Sequence, residues 1–106
     1  MATLYNRVKL VRLKTVISET GYSRSRVYEL IAQRLWPKPV SIGSRSIAWP
    51  SSEVDVLIAA RIAGKTDEEI RRLVADLEEA RKSYWDQSMG FAASFSNVQP
   101  GAGSTN

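Results

Sequence analysis

At 106 residues, with 43% hydrophobic side chains and a net charge of +4, the chain has room for one small domain plus extensions. It contains no cysteine and no histidine, which excludes a disulfide framework, Cys/His metal sites and histidine acid–base chemistry. No segment resembles a signal peptide and no apolar run reaches the roughly 18 residues that a bilayer span needs, so a cytoplasmic protein is expected, nucleoid-associated when bound to DNA. The charge is uneven: residues 1–63 carry a net +6 and residues 64–106 a net −2. A basic half joined to a mildly acidic one suggests a polyanion-binding module with an appendage.

Residues 1–8 lack periodicity and read as a flexible arm. Val8 and Leu10 alternate with Lys9 and Val11, the period of a short extended segment. Leu13, Val16 and Ile17 then fall at helical spacing, and Gly21 suits the left-handed position that closes a helix. Ser23 sits where an N-cap belongs, ahead of a second helix over 23–34 whose stripe is Val27, Leu30 and Ile31, with Arg34 continuing the row. Helix, glycine turn and capped helix make a helix-turn-helix plan. The outward face of the second helix carries Ser25 and Glu29, flanked by Arg26 and Tyr28, and lacks bulky aliphatics. Such a face fits a DNA major groove, where recognition helices read bases from their N-terminal residues.

Pro37 and Pro39 stop this helix. Val40 and Ile42, then Ile47 and Trp49, are spaced by two around Gly43-Ser44-Arg45-Ser46, which predicts a β-hairpin with Arg45 at its tip. Trp49 is assigned to the core, and Trp36 to packing rather than base stacking, since it precedes Pro37 in a connector. Ser51 or Ser52 should cap a third helix in which Glu53 favours the positive end and Val54, Leu57, Ile58 and Ile62 face the core. Thr66 and Glu69 match a capping box opening a fourth helix to about Trp85. Its seam is Ile70, Leu73, Val74, Leu77, Ala80 and Tyr84, and Asp67/Arg71, Glu68/Arg72 and Glu78/Lys82 are spaced as i,i+4 ion pairs. Period alone does not say whether the seam folds back on the domain or pairs two chains. Pairing is favoured here because residues 9–62 already read as complete. From Gln87 onward Gly, Ser, Ala and Asn predict a flexible tail.

Arg12-Leu13-Lys14-x-Val16, Thr20-Gly21-Tyr22-Ser23-Arg24-Ser25, Val27-Tyr28, Trp36-Pro37-Lys38-Pro39-Val40, Gly43-x-Arg45 and Trp49 fall in an order and spacing that resembles the AlpA-type prophage regulatory proteins. That group is related to phage excisionases and to the MerR-like winged helix. Arg26 stands where the family often has a small polar residue, and Trp36 where it often has phenylalanine. Over residues 9–62 the resemblance implies a winged helix-turn-helix with the helix at 23–34 for recognition and the hairpin at 40–49 as the wing. It also implies gene control in a prophage or genomic island, and excision beside a site-specific integrase as the alternative use.

The expected fold is therefore α+β, mostly α: an arm at 1–8, a winged helix-turn-helix at 9–63 with a two-stranded wing, an appended helix at 64–86 for oligomerisation or packing, and a tail at 87–106. The expected function is sequence-specific binding of duplex DNA by a transcriptional regulator, as a homodimer or a row of protomers, with no cofactor, metal or membrane. Candidate DNA contacts are Ser23, Arg24, Ser25, Arg26, Tyr28, Lys38, Ser44 and Arg45. Positive charge at a helix N-terminus opposes the macrodipole, so Arg24 and Arg26 are better explained by a bound polyanion than by helix stability. Tyr28 either offers its hydroxyl to a phosphate or packs over the helix edge, and Glu29 reads as an ordinary exposed glutamate. An enzyme is disfavoured: the carboxylates cluster beside Lys and Arg on the fourth helix, and no glycine-rich phosphate loop follows a strand. An adaptor acting only through the helix at 66–85 is the remaining alternative. Steep loss of duplex binding with salt would separate it from a DNA binder.

Overall fold

The computed structural model describes residues 9–96; the expected arm at 1–8 and the last ten positions of the expected tail lie outside the described residues. The elements in order are β1 (Leu10–Val11), α1 (Leu13–Thr20), α2 (Arg24–Ala32), β2 (Val40–Gly43), β3 (Ser46–Pro50), α3 (Ser51–Ile62) and α4 (Asp67–Ser96). This is an α+β winged helix with one correction to the wing. The sheet has three antiparallel strands in the order β1-β3-β2, because Leu10 and Val11 pair with Pro50 and Trp49. The hairpin itself pairs Val40 with Ala48 and Ser41 with Ile47, with an irregularity between Ser41 and Gly43.

The turn between α1 and α2 is built from local chemistry. Gly21 has φ +81° with open space around the place of a Cβ, so backbone conformation and not crowding selects glycine. Thr20 Oγ1 donates to the Val16 carbonyl at 2.7 Å and accepts from the Tyr22 amide at 3.1 Å. Ser23 then caps α2, its Oγ accepting from the Arg26 amide at 3.0 Å. The far end of α2 departs from the sequence reading. The helix stops at Ala32, and Arg34 takes the left-handed conformation (φ 63°) instead of continuing the apolar row. The Leu35 amide closes back on the Leu30 carbonyl at 2.8 Å, which turns Leu35, Trp36 and Pro37 into the core. Burial of those three side chains outweighs the roughly 1–2 kcal/mol that a non-glycine residue loses there.

Val16, Val27, Leu30, Trp49, Val54 and Leu57 form the core, as their spacing predicts. Trp49 is fully buried, with its Nε1 donating to the Pro37 carbonyl at 2.8 Å. Trp36 is buried edge-on to Tyr22, its packing role as expected. At α3 two expectations fail. Neither serine caps the helix: Pro50 holds the N-cap position, the Ser51 amide donates to the Lys9 carbonyl at 2.7 Å, and Ser52 Oγ meets Tyr84 Oη at 2.9 Å. Ile62, one turn beyond Ile58, is 81% exposed, because α3 ends there and turns away through Gly64.

The capping box forms as read: Glu69 donates its amide to Thr66 Oγ1 at 3.1 Å, and its carboxylate accepts from the Thr66 amide at 2.9 Å. That amide bond holds the Glu69 carboxyl below its usual range. Beyond the cap, α4 differs from expectation in three ways. It runs to Ser96, eleven residues past Trp85, so Gln87–Ser96 is helix and not tail. Its seam closes on its own domain: Ile70 and Val74 are buried in the core, Leu73 and Leu77 pack against it, and Ala80 is exposed. The charges also find partners outside the expected i,i+4 pairs. Arg71 donates to the Gln33 carbonyl, Asp67 meets Arg61, Glu78 accepts from the Lys38 amide, and Lys82 pairs with Glu79. The strongest tie is Arg81, whose Nε and Nη2 reach both Glu53 oxygens at 2.9 and 2.7 Å while Nη2 also donates to the Lys38 carbonyl at 2.8 Å. Glu53 is 1% exposed, so its role is this ion pair more than a helix-end charge. The bonds to Glu53 push the Arg81 guanidinium further above its already high range. α4 thus supplies part of the core that covers residues 9–62.

Candidate nucleic-acid interface

Burying Val27 and Leu30 fixes the rotation of α2, and with it which side chains face out. Arg24, Ser25, Arg26, Tyr28 and Glu29 are all exposed. Tyr28 is 46% exposed, so it is not absorbed by packing. Arg26 Nη1 lies 2.8 Å from Glu29 Oε1, one helical turn on, and both groups stay in solvent. The glutamate therefore has a partner that the sequence reading did not give it. Such an exposed pair is worth about 0–1 kcal/mol, little enough for a phosphate to displace the glutamate.

The hairpin brings the other candidates. Ser44 and Arg45 form the turn between β2 and β3, both exposed. Arg45 and Ile47 on this side, and Arg24 and Tyr28 on α2, line one open hollow of about 550 Å³, whose remaining wall is Arg12, Leu13 and Lys14 at the start of α1. Residues more than twenty positions apart in sequence thus converge on a basic concavity, and no acidic side chain lines it among the described residues. Ser23 borders this face at the cap of α2, its Oγ already accepting from an amide. Lys38 is placed elsewhere. It is exposed, but it lines a separate hollow with Arg34, Arg71 and Glu78 against α4.

Arg12 and Lys14 are the residues that sequence reasoning missed. Arg12 Nε donates to the Ile47 carbonyl at 3.1 Å, which ties the start of α1 to β3. The signal in the sequence was weak: two cations flanking Leu13, with no acidic residue in the first turn of α1. Their meeting with the hairpin depends on β1 pairing with β3, which periodicity does not reveal.

Among the described residues no group of three Asp or Glu side chains is arranged to hold a metal ion, and no helix is long and apolar enough to cross a membrane. No solved structure matches the chain. Over 57 residues the chain is 42% identical to Uncharacterized protein ORF88 of Enterobacteria phage P4; the match covers 54% of this chain and 65% of that one, just under two thirds of the relative's length. The model of the family described as Prophage CP4-57 regulatory protein (AlpA) matches residues 9–62, from β1 to the end of α3, with the basic hollow inside it. Matching half of the chain, it makes the chain a member of the AlpA family of prophage regulatory proteins.

Proposed function

We propose that the chain is a sequence-specific duplex-DNA-binding regulator of a prophage or related mobile element. In this reading α2 enters the major groove and the β2–β3 turn rides on the flanking backbone or minor groove. The observation that carries the reading is the convergence of Arg24 from α2 and Arg45 from the hairpin on one basic hollow. Arg24 and Arg26 would contact phosphate or guanine, with Ser23, Ser25 and Tyr28 able to bond phosphate oxygens. Lys38 and Ser44 are peripheral contacts at most, one facing α4 and the other at the turn.

Footprinting on DNA flanking the gene and the ends of its element tests the reading. Protected sites beside a promoter support gene control, sites at the element ends with bent DNA mark the excision role, and no protection anywhere removes the proposal. Arg24→Ala should weaken binding by about 1–3 kcal/mol with relaxed sequence preference if it reads a base, or equally on all sequences if it holds a phosphate. Arg26→Ala should act in the same direction but less, since Glu29 shares its guanidinium. Both side chains are exposed, so the thermal transition should stay in place.

Arg45→Ala gives an independent check at the hairpin. If Arg45 neutralises one phosphate, its removal lowers the slope of log affinity against log salt by about one. A fall in affinity with an unchanged slope would assign Arg45 to hairpin structure in place of charge.

A further inference from the structure

We propose that the first turn of α1 is a third DNA-contacting element, in which Lys14 and Arg12 hold backbone phosphates of the strand that passes between α2 and the hairpin. The proposal rests on the duplex-binding reading above and adds an element to it. Four cations, Arg12, Lys14, Arg24 and Arg45, line the single hollow of about 550 Å³. None of the four has a carboxylate partner among the described residues, and no acidic side chain lines the hollow they share. Like charges gathered without counterions repel one another, and a polyanion laid across them relieves the repulsion.

Two further features point the same way. Arg12 and Lys14 stand at the N-cap and in the first turn of α1, which has no acidic side chain there and no side-chain cap. Positive charge opposes the helix dipole at that end, so these residues do nothing for α1 itself. Arg12 also has its Nε on the Ile47 carbonyl at 3.1 Å, so one side chain spans from α1 to the strand that carries the hairpin. A guanidinium so fixed is pre-organised: its remaining donors keep one place relative to Arg45 instead of being ordered on binding. A groove-reading helix and a wing each touch the duplex from one side. The start of α1 closes the gap between them, where the backbone must cross.

The experiment measures binding of the full chain to a mixed-sequence duplex by fluorescence anisotropy across a salt series. Lys14→Ala and Arg12→Ala should each lower the log–log salt slope by about one and weaken all sequences alike. Lys14→Arg and Arg12→Lys should restore the slope, which a structural role would not predict. Lys82→Ala, on exposed α4 surface beside Glu79, should leave it unchanged. A melting curve on each variant confirms that the fold is kept. An unchanged slope in either α1 variant, while the parent chain binds duplex with the usual loss of affinity in salt, overturns this assignment and leaves the duplex-binding reading standing. No duplex binding by the parent chain, or a parent affinity that does not fall as salt rises, would bring down both.

Discussion

Arg81→Met should destabilise the chain by about 3–5 kcal/mol, the range found when one partner of a buried ion pair is removed. At roughly 4–8 °C per kcal/mol for a domain of this size, the melting midpoint would fall by tens of degrees. The reason is Glu53. Its side chain is 2% exposed, and both of its oxygens are held by Arg81. Without the guanidinium, a carboxylate is left buried at the start of α3 with neither a partner nor water to bond its oxygens. The loss should spread beyond the pair, because Arg81 Nη2 also holds the Lys38 carbonyl and so ties the connector after α2 to α4. The matching double variant, Glu53→Leu with Arg81→Met, should recover much of the stability, since an apolar pair of similar volume carries no desolvation penalty. Thermal and urea unfolding of the three proteins reads this directly. A single variant that melts within a degree or two of the parent would mean that Glu53 reaches water, and that the tie is not what seats α4.

How far the sequence reaches is clear from this same region. The helix-turn-helix was legible because each of its signals is local: Gly21 for a left-handed turn, Ser23 for a cap, and Val27 with Leu30 for a stripe. The hairpin and the capping box at Thr66 were legible for the same reason, with alternation on one side and a spacing of three on the other. Glu53 and Arg81 lie 28 positions apart, and nothing near either of them announces the other. Glu53 reads in sequence as a charge favouring the start of its helix, and Arg81 stands in no motif. The β1–β3 pairing was hidden likewise: two residues are too few to show a period, and their partner strand lies some forty positions on. The missed members of the basic hollow, Arg12 and Lys14, follow from that pairing, whereas Arg24 and Arg45 belonged to motifs that could be read alone. At α4 the seam was legible and its use was not, since pairing and packing both stayed open. Ile70, Leu73, Val74 and Leu77 make an apolar seam in sequence, and a seam of two heptads looks the same whether it meets another chain or its own core.

Ile70→Asp should therefore unfold the chain and not merely separate copies of it. Ile70 is fully buried against the core, and a carboxylate placed there costs several kcal/mol, a large share of the roughly 5–15 kcal/mol that a small domain has in total. Ile70→Ala should be milder, about 2–5 kcal/mol from lost burial and the space left behind. The distal part of α4 should behave in the opposite way. Trp85 is 67% exposed and Met89 46%, so Trp85→Ser with Met89→Ser should move stability by no more than about 0.5 kcal/mol per site. The two halves of one helix thus separate two roles that its periodicity merges. A DNA module of this size covers a short site, and two copies on adjacent half-sites are the usual way to gain specificity. Any pairing through α4 has to use the surface that the core leaves open, around Trp85 and Met89. Such pairing would disappear from sedimentation in the distal variant while the melting curve stayed where it was. The opposite result, an Ile70→Asp chain that stays folded and sediments as a smaller species than the parent, would return the proximal seam to the interface between chains.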